Sequence, residues 1–254
     1  MTEISLKGLT KRFGKVIAVS NLAVTIRPGE FFGIVGPTGC GKTTLLRLIA
    51  GLIQPDSGEI LFSGEIVNNL TPGERRVRMV FQDFALYPHL RVFDERRFSN
   101  LGFPLKLRKL PPRRIKGMVR SVAERLKIGE ELFPRRPAEL SAGQRQKVAV
   151  GRAIALPPKI LLMDEPLSNL DPQSRLSARA EVRKLHDDLG VTTIYVTHDL
   201  AEAFFLFDRI AVMREGTFVQ VGSPREIQRN PKDDFVKSFV RSFVELNRGL
   251  LESD

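Results

Sequence analysis

The stretch EFFGIVGPTGCGKTTLLRLIAGL, residues 30–52, decides how the chain is read. FFGIV (31–35) is a short apolar run ending at a glycine loop, and TTLLRLIAGL has apolar residues at helical spacing. Between them, Gly36 to Thr43 spell G-P-T-G-C-G-K-T, which matches G-x-x-x-x-G-K-[ST]. Gly36, Gly39 and Gly41 let the backbone curl until successive N–H groups turn inward, and the positive end of the following helix backs them. That combination binds anions. Lys42 is placed to reach the β- and γ-phosphates of a nucleotide, the Thr43 hydroxyl to hold Mg²⁺, and Thr44 to bring a further hydroxyl to the phosphates. Pro37, Thr38 and Cys40 complete the loop. Cys40 is expected to serve through its backbone N–H. A thiol at a helix N-terminus beside a lysine is also expected to have a depressed pKa, and so to react with thiol reagents unless ATP protects it.

A phosphate site of this kind needs an acidic element, and ILLMDE (160–165) supplies one: an apolar strand ending in two carboxylates. Asp164 is placed to hold Mg²⁺ directly or through water. Glu165 is placed to accept a proton from the attacking water.

The bulk composition sets limits. The chain has 254 residues, 42% hydrophobic and 27% charged, which suits a globular protein with an ordinary core. No apolar run reaches the roughly 18 residues of a bilayer-crossing helix. The N-terminus has no apolar segment after a basic start, so no secretory signal is read. The single cysteine excludes an internal disulfide framework and a cysteine-rich zinc site, and a cytosolic setting is expected. The net charge of +11 favours acidic partners such as nucleotides, nucleic acid or an anionic membrane face. Part of it is concentrated at 105–120, LKLRKLPPRRIKGMVR, with seven basic residues and no acid. That run reads either as the solvated face of a surface helix or as a surface for an acidic partner.

Strands alternate with helices along most of the chain, which implies a mostly parallel sheet covered on both faces. ISLKGLTKRF and AVSNLAVTI open the chain as strands, and GEILFSG, VRMVFQ, KILLMDE and VTTIYVTHD follow as further strands. RLSARAEVRKLHDDLG is a predicted helix closed by Gly190. DRIAVMREGTFVQVG is a predicted hairpin turning at Glu215 and Gly216, and the tail from Ser223 is predicted helical. Residues 88–155 are expected to be mostly helical and to form a subdomain inserted in the α/β core. Pro104, Pro111 and Pro112 act there as breakers.

Three more motifs make the order specific. VFQDFALYPHL (80–90) lies between the two phosphate elements, LSAGQRQKVAVGRA (140–153) precedes the acidic strand, and VTHD (196–199) follows it. The whole order, from about 4 to 240, resembles the ATP-binding cassette family, the nucleotide-binding subunits of ABC transporters. The resemblance implies an α/β P-loop NTPase core, a mostly parallel sheet plus antiparallel N-terminal strands, with an inserted helical subdomain. It implies ATP and Mg²⁺ as ligands and head-to-tail dimers with two ATP molecules between subunits. Ser141, Gly143 and Gln144 match the signature that meets the γ-phosphate of the partner's ATP. Gln82 matches the glutamine that senses Mg²⁺ and the attacking water. His198 matches the switch histidine that contacts the γ-phosphate and Glu165. Asp171, in SNLD, matches the loop that communicates across the dimer, and Phe13 matches the aromatic that stacks on adenine. His89 and His186 read as surface or packing residues.

The sequence departs from the family pattern twice. Ala142 stands where the family usually has glycine, and is tolerable if its φ is negative. About five residues, Glu95 to Ser99, are extra in the region where a membrane partner usually docks. FQDFALYPHL, DEPLSNLDPQSR and TTIYVTHDLAEA most resemble importer subunits for sugars, polyamines, sulfate or iron, and sugar import is favoured. The partners implied are a second nucleotide-binding subunit, expected as a homodimer, and integral membrane permease subunits. The implied location is the cytoplasmic face of the membrane, with no nucleic acid partner. The chain reads as a single domain over 1–254, with the C-terminal regulatory β-domain of many such subunits expected to be absent. A soluble ABC ATPase acting on nucleic acid or ribosomes, and a P-loop kinase, are the alternatives.

Overall fold

FFGIV becomes β3 (Phe31–Val35), with all five residues buried, inside a six-stranded sheet. Burial on both faces explains its unbroken apolar run. β7 (Ile160–Asp164) and β8 (Thr192–Thr197) are likewise buried along their whole length, although β7 ends in an aspartate and β8 carries three threonines. With β6 (Val77–Val80), β9 (Arg209–Arg214) and β10 (Thr217–Gly222) the order is β10-β9-β3-β8-β7-β6. All pairs are parallel except β10 with β9. The hairpin between those two turns through Glu215 and Gly216 at φ 47° and 78°, the left-handed pair that suits a tight hairpin. A second, antiparallel sheet has the order β2-β1-β4-β5, from β1 (Ile4–Phe13), β2 (Val16–Ile26), β4 (Ser57–Phe62) and β5 (Glu65–Ile66). The fold is therefore the α/β core with antiparallel N-terminal strands that the motif order implied. The computed structural model describes residues 1–246, with side chains through residue 241. The last part of the helical tail and of the single-domain reading, 247–254, lies outside the described residues.

Two cores flank the parallel sheet. On one side α1 (Lys42–Ala50) packs between the two sheets, burying Leu45, Leu46, Leu48 and Ile49. On the other lie α6 (Pro172–Leu189), α7 (Leu200–Leu206), α8 (Pro224–Arg229) and α9 (Asp234–Leu246). Gly190 closes α6 at φ 59°, as the sequence predicts. His186 is a packing residue: it stacks on Phe31 at 4.5 Å, and burial lowers its pKa.

The helical layer is built from α3 (Phe103–Leu107), α4 (Pro112–Arg125) and α5 (Ala142–Ile154), with two short 3₁₀ turns between α4 and α5. It has its own apolar cluster around Val119, Leu101 and Val148. Its first part differs from expectation: residues 88–102 contain no helix or strand. The fully buried Asn100 organises them instead. Its amide accepts from Tyr87 N at 2.9 Å and donates to the carbonyls of Tyr87, Leu90 and Arg91. In the extra segment, Asp94 accepts from the amides of Arg96 and Arg97, both at 2.9 Å, and Phe98 lies 5.4 Å from Phe103. The basic run is partly neutralised, with Lys116 paired to Glu95 and Arg120 to Glu130. Arg108, Lys109, Arg113 and Arg114 are exposed.

The far end of α1 is held by Arg75, which ends α2 (Pro72–Arg75) and is 2% exposed. Its guanidinium donates to the carbonyls of Leu48 (2.7 Å), Ile49 (2.9 Å), Leu70 (3.0 Å) and Asn68 (2.9 Å). These include carbonyls that a helix end leaves without partners. Arg75→Met is expected to cost about 2–4 kcal/mol of folding stability, because the buried carbonyls of Leu48 and Ile49 and the partly buried ones of Asn68 and Leu70 lose a donor. A urea unfolding curve with an unchanged midpoint would contradict this account of the α1 terminus.

Candidate nucleotide-binding site

The loop after β3 requires glycine at two close contacts. A Cβ on Gly36 would lie 2.2 Å from the carbonyl oxygen of Met213 in β9. One on Gly41 would lie 2.1 Å from the carbonyl oxygen of Ala18 in β2, at a backbone φ of 108°. Backbone bonds tie the loop down: Gly216 N donates to Cys40 O at 3.0 Å, and Ser20 N donates to Gly216 O at 2.9 Å. Gly41 is the N-cap of α1, and no side chain caps it. The first amides of the helix therefore keep their orphan donors next to the loop.

Thr38, Gly39, Gly41, Lys42, Thr43 and Thr44 line a cavity of about 420 Å³, together with Gln82, Glu165 and His198. The structure thus gathers on one concavity residues that span 160 positions of the sequence. Gly36, Pro37 and Cys40 shape the loop from behind or beside it. Lys42 is 5% exposed, and its Nζ donates to the carbonyls of Gly36 (2.8 Å) and Pro37 (3.0 Å) and lies 3.9 Å from Glu165 Oε1. Thr43 Oγ1 donates to Asp164 Oδ1 at 2.9 Å. Thr43, Asp164 and Gln82 also line an adjoining cavity of about 450 Å³ that includes Arg47. Burial pushes the Asp164 carboxyl pKa up, against the opposing pull of the Thr43 hydrogen bond.

Glu165 sits at φ 43°, a left-handed conformation that a non-glycine residue adopts only under constraint. Its amide donates to Val196 O at 3.0 Å, and its carbonyl accepts from the Ser168 hydroxyl at 2.8 Å. His198 Nδ1 lies 2.9 Å from Glu165 Oε2. The carboxylate is thus held between a histidine and a lysine.

One expectation is corrected. Cys40 is buried at 5% exposure, and burial raises its thiol pKa. The Lys42 amine, 4.0 Å away, lowers it by less. The helix-end argument loses here to desolvation, and ready alkylation is not expected.

Other predicted residues lie elsewhere in the chain. Ser141, Gly143 and Gln144 line a separate cavity of about 380 Å³ beside α6. Ser141 caps α5: Gln144 N donates to its hydroxyl at 3.2 Å, and Gln144 Oε1 accepts from Ser141 N at 2.9 Å. Ala142 is the first residue of α5 and does not have positive φ, so its methyl is accommodated. Asp171 caps α6 by accepting from Ser174 N at 2.9 Å, and hydrogen bonds from the Ser174 hydroxyl and then its amide lower the carboxyl pKa. Phe13, half exposed with Lys11 Nζ 5.6 Å from its ring, lies at the end of β1 beside Val16 but does not line the cavity.

Sequence reasoning missed Val16, Ile17 and Ala18, and Glu215 and Gly216, all of which line the loop cavity. A signal existed for the second pair: parallel strands present their carboxyl ends together, so a turn after a neighbour of β3 falls beside the loop. Asn169 was also missed; its amide donates to Gln82 O at 2.7 Å and joins the segment after Glu165 to the one after β6.

Known proteins match this arrangement. The ABC transporter family matches residues 19–168. The chain is 50% identical over 248 residues to the trehalose/maltose import ATP-binding protein MalK of Thermococcus litoralis, covering 95% of this chain and 65% of that protein. It is 45% identical to the spermidine/putrescine import ATP-binding protein PotA of Thermotoga maritima, covering 94% and 63%. The chain therefore spans about two thirds of the length of these relatives. Among solved structures, the dimeric structure of a bacterial ABC transporter cassette superposes with a TM-score of 0.77 at 31% identity, covering 87% of this chain and 99% of that one. The dimeric structure of a post-hydrolysis ATP-binding cassette bound to ADP and Pi gives 0.74 at 30% identity, with the same coverage. The glycine loop that lines this cavity, the family match over residues 19–168 and these relatives in both sequence and structure make the chain a member of the ABC transporter family.

Proposed function

We propose that the chain is an ATP-hydrolysing nucleotide-binding subunit of an ABC importer. The observation that carries this reading is the Glu165 carboxylate, held between His198 Nδ1 at 2.9 Å and Lys42 Nζ at 3.9 Å at the mouth of the phosphate loop. Orphan amides of α1 and the Lys42 ammonium take the phosphate charge. Glu165 takes a proton from the attacking water, and His198 orients that carboxylate and reaches the γ-phosphate. Gln82, which lines the same cavity, reports the state of the site to the helical layer. Thr38 and Thr44 add hydroxyl contacts to the phosphates.

The residues suit a magnesium ion. Thr43 Oγ1 and Asp164 Oδ1 are two hard oxygens 2.9 Å apart, and the buried carboxylate lacks a full counter-charge. Among the described residues no cluster of three or more His, Cys, Asp or Glu could hold a metal alone. Magnesium usually takes one or two carboxylates, with phosphate oxygens and water completing its shell. When bound, the ion would neutralise phosphate charge.

The reading includes a homodimer in which Ser141, Gly143 and Gln144 of one copy meet the nucleotide held by the other. Gly143 supports it: a Cβ there would meet only Leu170 Cδ2 at 4.0 Å within the chain, so nothing internal requires glycine. Asp171 lies at the N-cap of α6, and the half-exposed ring of Phe13, paired in register with the cavity-lining Val16, is the one that would stack on adenine. No helix among the described residues is long and apolar enough to cross a membrane. The similarity to proteins named for import supports a peripheral place at the cytoplasmic membrane face, on separate permease subunits. Sugar is the favoured solute, given the similarity to the trehalose/maltose import protein.

Two variants test the reading. Glu165→Gln is expected to keep ATP affinity, lose on the order of 100-fold or more in kcat, and accumulate as a dimer with ATP. Turnover at the unmodified rate would remove the general-base assignment. Lys42→Ala is expected to weaken ATP binding at least tenfold, about 1.4 kcal/mol, measured by calorimetry. Undiminished affinity would remove Lys42 from the phosphate contacts.

A further inference from the structure

A chain of contacts behind the cavity joins Glu165 to His198 by a second route. After Glu165 the backbone turns, and the Ser168 hydroxyl donates to Glu165 O at 2.8 Å. The carbonyls of Ser168 and Leu170 accept from Arg175 Nη2 at 3.4 and 3.0 Å. Arg175, in the first turns of α6, also lies 3.7 Å from Asp199 Oδ2 through its Nη1. Asp199 directly follows His198. Its other carboxylate oxygen caps α7 by accepting from Ala201 N at 2.8 Å, and its amide donates to Thr197 Oγ1 at 2.9 Å. Arg179, one turn along α6, donates to the same Asp199 Oδ2 at 2.8 Å. The circuit closes at the 2.9 Å contact between His198 and Glu165.

The two arginines share a further feature. Arg175 Nε and Arg179 Nε are buried without an acceptor, the only such side-chain atoms among the described residues. Leaving a buried donor unpaired is costly, and such groups call for an explanation. Here two guanidinium groups are turned so that their Nη atoms reach one carboxylate, and in Arg175 two loop carbonyls as well, at the expense of both Nε donors. Simple helix packing would not select that orientation. Arg183, further along α6, uses both kinds of nitrogen: Nε to Asp187, and Nη1 to Asp208 and Leu206 O.

We propose that Arg175 and Asp199 are positioning residues for the Glu165–His198 pair. Their ion pair fixes the 168–170 carbonyls to the N-cap of α7. A displacement of the loop at 168–171 then reaches the Glu165 carboxylate through its own backbone and the His198 ring through Asp199. The ion pair thereby holds the proton-accepting carboxylate and its histidine in alignment. This inference rests on the hydrolytic reading given above.

The test is steady-state ATP hydrolysis by the full chain, with its transport complex where assembled. Asp199→Asn keeps a good helix cap and removes the charge. Arg175→Gln removes the bridge, and Arg175→Lys keeps the charge without the fork that spans carbonyls and carboxylate. Asp199→Asn and Arg175→Gln are each expected to lower kcat about tenfold, with KM for ATP within about twofold, the pattern of an interaction that matters after binding. Arg175→Lys is expected to fall between Arg175→Gln and the unmodified chain. The double variant is expected to be no slower than the slower single one, because both act on one contact. Arg183→Gln, on the same helix, is expected to leave kcat unchanged. Unmodified kcat in Asp199→Asn or in Arg175→Gln, or full additivity in the double variant, would overturn the proposal. Should Asp199→Asn fail to fold, Arg175→Lys decides: a kcat equal to that of the unmodified chain overturns it, and a reduced kcat at constant KM supports it. A failure of the unmodified chain to hydrolyse ATP would instead remove the hydrolytic reading, and this inference with it.

Discussion

The rest of the structure depends on a contact between backbones. The loop at 36–41 passes so close to Met213 O and Ala18 O that side chains at Gly36 and Gly41 would overlap them by more than an ångström. Glycine here closes the gap between two sheets, and its freedom of φ is needed as well at Gly41 and, between them, at Gly39. Because β2 and β9 both press on the loop, the N-terminus of α1 is aimed by the two sheets together. Hydrogen bonds from Gly216 to Cys40 and from Ser20 to Gly216 keep that aim without any side chain. The aim of these helix amides is therefore a property of sheet geometry. Arg75, at the opposite end of α1, secures the same helix from behind.

Charge inside this frame is incompletely balanced. Lys42 and Asp164 are nearly buried, and Glu165 is largely covered. Buried charges are costly unless paired and hydrogen-bonded. Lys42 finds two carbonyls and a distant carboxylate, while Asp164 finds one hydroxyl and has its pKa raised. On the proposed reading, a divalent ion meets the two carboxylates, while a polyphosphate meets the lysine and the free amides. Electrostatic interactions are stronger in such a partly enclosed site than in water. Strain points the same way: Glu165 holds φ 43°, stabilised by Val196 and Ser168, so that its carboxylate faces the cavity.

Much of this was legible in the sequence because it is local. A glycine loop between a strand and a helix, an apolar strand with two terminal carboxylates, and a glycine closing α6 each follow from a few adjacent residues. What escaped was tertiary. The Cys40 thiol was read from its helix end and its lysine neighbour, but its pKa is set by burial under β9 and β2, which no local pattern reveals. The segment at 88–102 is not the helix expected of it, because the buried Asn100 amide bonds the carbonyls of Tyr87, Leu90 and Arg91 in place of a helical ladder. Val16 and Glu215 join the cavity through strand order, and a strand order that places β9 between β3 and β10 is not written in any one strand.

A contrast among glycines carries the argument beyond one chain. Gly36 and Gly41 are small because their own chain leaves no room, whereas Gly143 faces open space apart from one methyl of Leu170. A small residue without an internal cause leaves its amide open to an incoming group. Beside it, the Ser141 oxygen accepts from Gln144 N, so its hydroxyl proton remains available to donate. The phosphate loop and this helix tip line different cavities of the same chain. On the importer reading, two copies bring one of each together across a nucleotide. A nucleotide bound by a separated copy meets the loop alone; in the closed pair it also gains the serine and glycine contacts. It can shift the balance toward the closed pair only by the free energy of those added contacts. Each tenfold gain in affinity on closure, about 1.4 kcal/mol, is thus a tenfold shift toward the pair. Hydrolysis takes that gain away when the γ-phosphate no longer bridges the two surfaces.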